Sequence, residues 1–135
     1  MALQHESQDA LEFIGTTIAE LESELEYKKV EAERRGWYPN GKKYQAITEM
    51  DRHKGSLKRL RTIIIGKDGS QDVLEFIGVT IAELESELEY KKEEAERKGW
   101  FTDGKKYQSI TEMDRHIWSL KRLRTILIGK DESVD

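Results

Sequence analysis

The 135-residue sequence contains no cysteine, one proline and no apolar run longer than three residues, such as Ile63-Ile64-Ile65. Without cysteine the chain forms neither disulfides nor thiolate metal sites, and we expect a reducing, cytoplasmic location. A membrane-spanning helix needs about 18 apolar residues, so none is predicted. No signal-peptide core follows Met1. We therefore expect a protein with no membrane segment.

The chain is slightly acidic, because it contains 27 Asp and Glu residues but only 23 Lys and Arg residues, which gives a net charge of -4. This balance argues against nucleic acid as a general partner. Hydrophobic residues make up 36% of the chain, which is enough for one modest core. The length and composition together predict a single domain over residues 1–135.

The chain is a tandem repeat with an offset of 63 residues. Residues 7–69 align with residues 70–132 without a gap, and 51 of the 63 pairs are identical. Two copies are too few for a solenoid, so we expect a closed unit with pseudo-two-fold symmetry. Two origins stay open: duplication of a gene that encoded a homodimeric parent, and deliberate fusion of two copies into a single-chain dimer.

The first half of each repeat has the periodicity of an amphipathic helix. In the first repeat the apolar positions are Leu11, Ile14, Ile18, Leu21, Leu25 and Ala32. Asp9 and Glu12 have the spacing of a capping box, which predicts a helix start near residue 10 and, in the second repeat, near residue 73. Gly36 and Gly99 are predicted to end these helices.

A second helix is predicted from about residue 43 to residue 65. Its apolar positions are Ile47, Met50, Leu57, Leu60 and Ile64. Each repeat is then a helical hairpin, and the short segment 66–71 joins the two hairpins. The predicted fold is an all-α, antiparallel four-helix bundle formed by two tandem hairpins. Acidic residues dominate 9–35 and basic residues dominate 42–67, which favours the two kinds of helix as neighbours.

Glu49 and His53, repeated as Glu112 and His116, are candidate metal ligands. A carboxylate and an imidazole four residues apart share one helix face, and two-fold pairing could bring up to four ligands together. The helical projection places His53 at the edge of the apolar face, with Glu49 further out. A boundary histidine that holds a neighbouring carboxylate explains the pattern equally well, so no metal or other cofactor is predicted.

Lys54 is a candidate reactive amine, because its position projects into the apolar face and its counterpart in the second repeat is Ile117. A partly desolvated lysine can act as a Schiff-base or general-base residue. Alternatively, its long stem can carry the ammonium to solvent or to a carboxylate such as Glu24. The amine is thus a weak catalytic candidate.

Trp118 is the strongest candidate for an interface with a partner. Its position projects away from the apolar face, and its counterpart in the first repeat is Gly55. An exposed tryptophan is typical of a contact surface. Packing of Trp118 on a neighbouring helix, or a contact between copies of the chain, explains its position equally well. Trp37 and Trp100 follow the helix-ending glycines and are included in the predicted interface. We therefore expect a protein partner or self-association.

The leading prediction is a non-catalytic interaction or scaffold module. The sequence has no phosphate-binding glycine loop and no zinc-protease or calcium-loop motif. One alternative is a small helical metal-binding protein or enzyme with its site between the two repeats. The other is a nucleic-acid-binding regulator that uses the basic second helices and the turn aromatics, which the net acidic charge opposes.

Overall fold

A computed structural model describes residues 2–39, 41, 44–66, 70–102, 104 and 107–129, with the side chains of residues 2–7, 70 and 71 left aside. These residues form four helices: α1 (Ala2–Arg35), α2 (Gln45–Gly66), α3 (Ser70–Lys98) and α4 (Gln108–Ile128). The described ranges contain no strand. The prediction of an all-α four-helix bundle is confirmed. Residues 67–69, in the predicted joint, lie outside the described residues.

The predicted starts of the first helix in each repeat were wrong. Helix α1 already begins at Ala2 and passes through Asp9, and α3 begins at Ser70. No glycine or proline occurs between residues 2 and 9, so nothing in that segment stops the helix from extending. Asp72 lies in the first turn of α3, where its negative charge interacts favourably with the helix dipole and stabilises the helix.

The predicted ends at Gly36 and Gly99 are confirmed. Both glycines have positive φ, 70° and 69°, a conformation that costs other residues free energy. The amide of Gly36 donates to the carbonyl of Glu33, and the amide of Trp37 donates to the carbonyl of Ala32 over 2.9 Å. These two bonds form a Schellman motif. The same pair of bonds closes α3 at Gly99.

Helix α1 packs along α2 and α3 packs along α4, so each repeat is a hairpin. The two hairpins meet mainly through α2 and α4. Arg52, about two turns after the start of α2, pairs with Glu87, about three turns before the end of α3. Both hairpin turns therefore lie at the same end of the bundle, and α2 and α4 run parallel.

One continuous hydrophobic core joins all four helices. Its large side chains, fully buried, are Ile14, Leu21, Ile47, Met50, Leu57, Leu60, Ile77, Leu84, Ile110, Met113, Leu120 and Leu123. The buried core contains every predicted apolar position except Leu11 and Ile64, which are only partly buried. None of the helices, over the residues described, is both long enough and apolar enough to cross a membrane.

Candidate functional site

The centre of the α2–α4 contact contains two histidines, one from each repeat. His53 and His116 are both fully buried. The prediction of a histidine at the boundary of the apolar face was therefore wrong. Helix α2 contacts α1, α3 and α4, so its buried surface is wider than the apolar stripe that a single helix shows in projection.

The two imidazole rings stack on each other. Their centroids are 4.7 Å apart, and their planes differ by 22°. Nε2 of His116 shares a hydrogen bond with Oγ of Ser56 on α2 over 2.9 Å. The remaining ring nitrogens, Nδ1 of His116 and both nitrogens of His53, find no hydrogen-bond partner among the described residues. Three buried polar atoms thus lack the partner that such atoms usually have.

Both histidines are held in the neutral form. Burial, with smaller contributions from the nearby His116 and Arg115, lowers the pKa of His53 to about 3. Burial also lowers the pKa of His116 to about 4, with Arg52 adding to the effect and Glu87 opposing it. A neutral imidazole carries a free lone pair, so at neutral pH the pair could act as ligand or acceptor.

Glu49 and Glu112, the two predicted carboxylate ligands, bind arginines instead of the histidines. Glu49 lies 3.4 Å from Arg52 of the same helix, and Glu112 lies 3.3 Å from Arg115. Burial raises the pKa of both carboxyls, although the adjacent arginine acts in the opposite direction. Each carboxylate therefore already has a cationic partner at the edge of the core.

The same two arginines link the hairpins to each other. Arg52 on α2 binds both carboxylate oxygens of Glu87 on α3, at 2.8 and 2.9 Å. Arg115 on α4 binds both oxygens of Glu24 on α1, each at 2.9 Å. Arg115 is the counterpart of Arg52 in the other repeat, and Glu24 is the counterpart of Glu87. Equivalent residues therefore make equivalent contacts.

The four candidate ligands, Glu49, His53, Glu112 and His116, do not converge on one point. The part of the chain that the structure describes contains no group of three or more His, Asp or Glu side chains placed to hold a metal ion. The lone pairs of an imidazole lie in its ring plane, so two nearly parallel rings cannot both point at an ion between them. Only the histidine pair, after rotation of a ring, could supply ligands here.

Lys54, the candidate amine, lies between two carboxylates. Its Nζ is 3.9 Å from Glu22 and 4.0 Å from Asp51, and its side chain is 23% exposed. The sequence analysis offered Glu24 as a partner, but Glu24 binds Arg115 instead. Ile117, the counterpart of Lys54, is buried. The ammonium is thus ion-paired at the edge of the core.

Trp118 is exposed, as its helical position predicts. Its side chain is 61% exposed, and its ring lies 6.4 Å from that of Phe13 on α1, tilted by 52°. The indole therefore covers the junction between α1 and α4. Phe13 is a contact that the sequence analysis missed, because it lies just outside the apolar stripe of α1.

Trp37 and Trp100 contribute less surface than the sequence suggested. Both pack partly against the core, and Arg35 and Lys98 lie over their rings at 5.8 and 5.7 Å. The exposed rings at the hairpin turns are the following residues, Tyr38 and Phe101. Position after the helix end predicts which ring is exposed. The residue directly after the terminal glycine packs inward, and the next residue points outward.

Comparisons with protein-family models, curated proteins and solved structures gave no match to this chain.

Proposed function

We propose that the chain is a non-catalytic interaction or scaffold module, built as a single-chain counterpart of a homodimeric helical hairpin. In a dimer with two-fold symmetry, a residue on the axis meets its own copy. His53 stacks on His116, which is the same residue of the other repeat. The ion pair of Arg52 with Glu87 also recurs at the positions 63 residues away. These contacts support a shared parent arrangement.

The exposed indole of Trp118 is the observation that supports an interaction role. A large aromatic side chain that is 61% exposed leaves apolar area in water, and burial of such area stabilises a complex. Tryptophan is among the residues whose loss weakens protein interfaces most. The ring is also held by Phe13, so less rotamer freedom remains to be lost when a partner binds.

The test compares Trp118→Ser with Tyr90→Ser, a change at a ring of similar exposure, 64%, on α3. Self-association is measured by sedimentation, and protein partners are captured and identified by mass spectrometry. We expect Trp118→Ser to remove an association that Tyr90→Ser leaves intact, with both variants equally helical by circular dichroism. If every association survives Trp118→Ser, the interaction role of this surface is refuted.

A metal-binding function is the second candidate, and the three unpartnered nitrogens of His53 and His116 favour it. Titration with Zn²⁺ or Cu²⁺ would show binding tighter than about 1 mM, and the double variant His53→Leu, His116→Leu would lose it. Binding that is weaker than this, or that survives in the double variant, would remove this candidate.

A further inference from the structure

A groove of about 640 Å³ lies between the second half of α2 and the first half of α3. Apolar side chains line part of it, and Thr62 and several charged side chains line the rest. The apolar residues are Ile63, Phe76 and Val79, and the charged residues are Arg59, Asp72 and Glu75. Val79 is 53% exposed, so apolar area remains open to solvent along the groove.

The equivalent junction on the other side of the bundle, between α1 and α4, carries an indole. Phe13 is the counterpart of Phe76, and the ring of Trp118 lies over it. The counterpart of Trp118 is Gly55, one turn before Arg59 on α2. A Cβ placed on Gly55 would meet no atom within 4 Å. The junction of α2 and α3, beside Phe76, thus has open space at the position where the junction of α1 and α4 has the indole of Trp118.

A second difference between the repeats lies at the same groove. Val79 lines the groove, and its counterpart on α1 is Thr16. The junction without the indole therefore has the more apolar side chain at this position. Contact of an apolar ligand with Val79 would remove this apolar area from water, which favours binding.

We propose that the groove between α2 and α3 binds a small molecule that carries an indole-sized aromatic ring. The ring takes the place over Phe76 that the side chain of Trp118 takes over Phe13. Offset or tilted ring contact and burial of apolar area provide the attraction. We choose an indole because the side chain of Trp118 occupies the equivalent place beside Phe13. The site is separate from the Trp118 surface and does not depend on the role of that surface.

Free indole is the probe, added to the ¹⁵N-labelled full-length protein and followed by amide chemical shifts. We expect saturable shifts from one site, confined to the second half of α2 and the first half of α3. The dissociation constant should be on the order of 1 mM, as for a ligand with few atoms. Gly55→Trp should weaken binding at least tenfold, because its own indole fills the place over Phe76.

Two further variants keep the proposal falsifiable if Gly55→Trp disturbs the fold. Val79→Thr, which copies the counterpart residue Thr16, should weaken binding by a few fold. Trp118→Gly copies Gly55 and should open a second site, so that indole also shifts residues around Phe13. The absence of saturable shifts up to the solubility limit of indole would overturn the proposal.

Binding that neither Gly55→Trp nor Val79→Thr changes would also overturn the proposal. A third outcome would replace the ligand with a second copy of the chain. In that case the groove resonances would shift with protein concentration, and Trp118→Gly would abolish the shift. The groove would then accept Trp118 of a neighbouring molecule, and the small-molecule site would be refuted.

Discussion

Acidification should unfold the bundle through the two buried histidines. The pKa of His53 is about 3 and that of His116 is about 4 in the folded protein, against 6.5 for an unperturbed histidine. Below about pH 6.5 the unfolded chain therefore binds more protons than the folded one. The free energy of unfolding is greatest above that pH and falls as the pH drops from about 6.5 towards about 4.

The size of the effect follows from the two pKa differences. Each histidine contributes a slope of about 1.4 kcal/mol per pH unit while it is protonated only in the unfolded chain, so the pair contributes about 2.7 kcal/mol per unit. Between about pH 7 and pH 4.5 the sum is about 5 kcal/mol. Small domains have a free energy of unfolding of about 5–15 kcal/mol, so this loss is a large part of the total.

Three carboxyl groups near the pair modify this slope. Burial raises the pKa of Glu49 and Glu112, so their protonation on acidification favours the folded state and opposes the histidines. The hydrogen bond from Arg52 lowers the pKa of Glu87, so protonation of Glu87 adds to the loss. The arginines stay charged throughout. The wild type and the histidine variants share these carboxyl groups, so the difference between their slopes isolates the contribution of the histidines.

The assay is urea unfolding at several pH values between about 4.5 and 7.5, followed by circular dichroism, for the wild type and for His53→Leu, His116→Leu. Leucine is close to histidine in size, is neutral and leaves no buried nitrogen unpaired. We expect the double variant to remove most of the slope between about pH 6.5 and pH 5. Each single variant should remove about half of it.

Equal slopes in the wild type and the double variant would refute the reasoning. The histidines would then be protonated in the folded protein at the same pH as in the unfolded chain, contrary to the effect expected from their full burial. A slope that disappears with His53→Leu alone would show instead that only one histidine of the pair titrates differently in the two states.

Three further predictions concern the helices and their junctions. Gly55→Ala should raise the free energy of unfolding by about 1 kcal/mol in urea titration, since no side chain opposes a Cβ there, whereas Gly36→Ala should lower it by about 1 kcal/mol because φ is positive. A double-mutant cycle on Arg52 and Glu87 should give a coupling energy of up to about 1 kcal/mol that decreases in high salt, and a salt-independent value would contradict the ion pair. Residues 1–69 alone should fold only as a dimer, with a concentration-dependent Tm, and a stably folded monomer at micromolar concentration would contradict the shared core.

The sequence predicted the number and order of helices because their apolar periodicity and their terminal glycines are local signals. The burial of His53 and Glu49 was not predictable in the same way, because it depends on how many neighbours α2 has. A projection of one helix shows its apolar stripe, whereas the bundle covers the flanks of α2 with α3 and α4 as well. The start of α1 was predicted wrongly because Asp9 and Glu12 have the spacing of a capping box. In the structure Asp9 lies inside the helix and does not cap it.

Linkage of the two hairpins explains how the bundle can carry two different faces. A homodimer of identical hairpins presents every surface residue twice, so an exposed tryptophan at the position of Trp118 would give two equal contact sites. Two such sites on one particle favour open-ended assembly. In this chain Gly55 stands at the position equivalent to Trp118, and Lys54 stands where the other repeat has the buried Ile117. The molecule therefore carries the exposed indole of Trp118 on one side and an open groove beside Phe76 on the other.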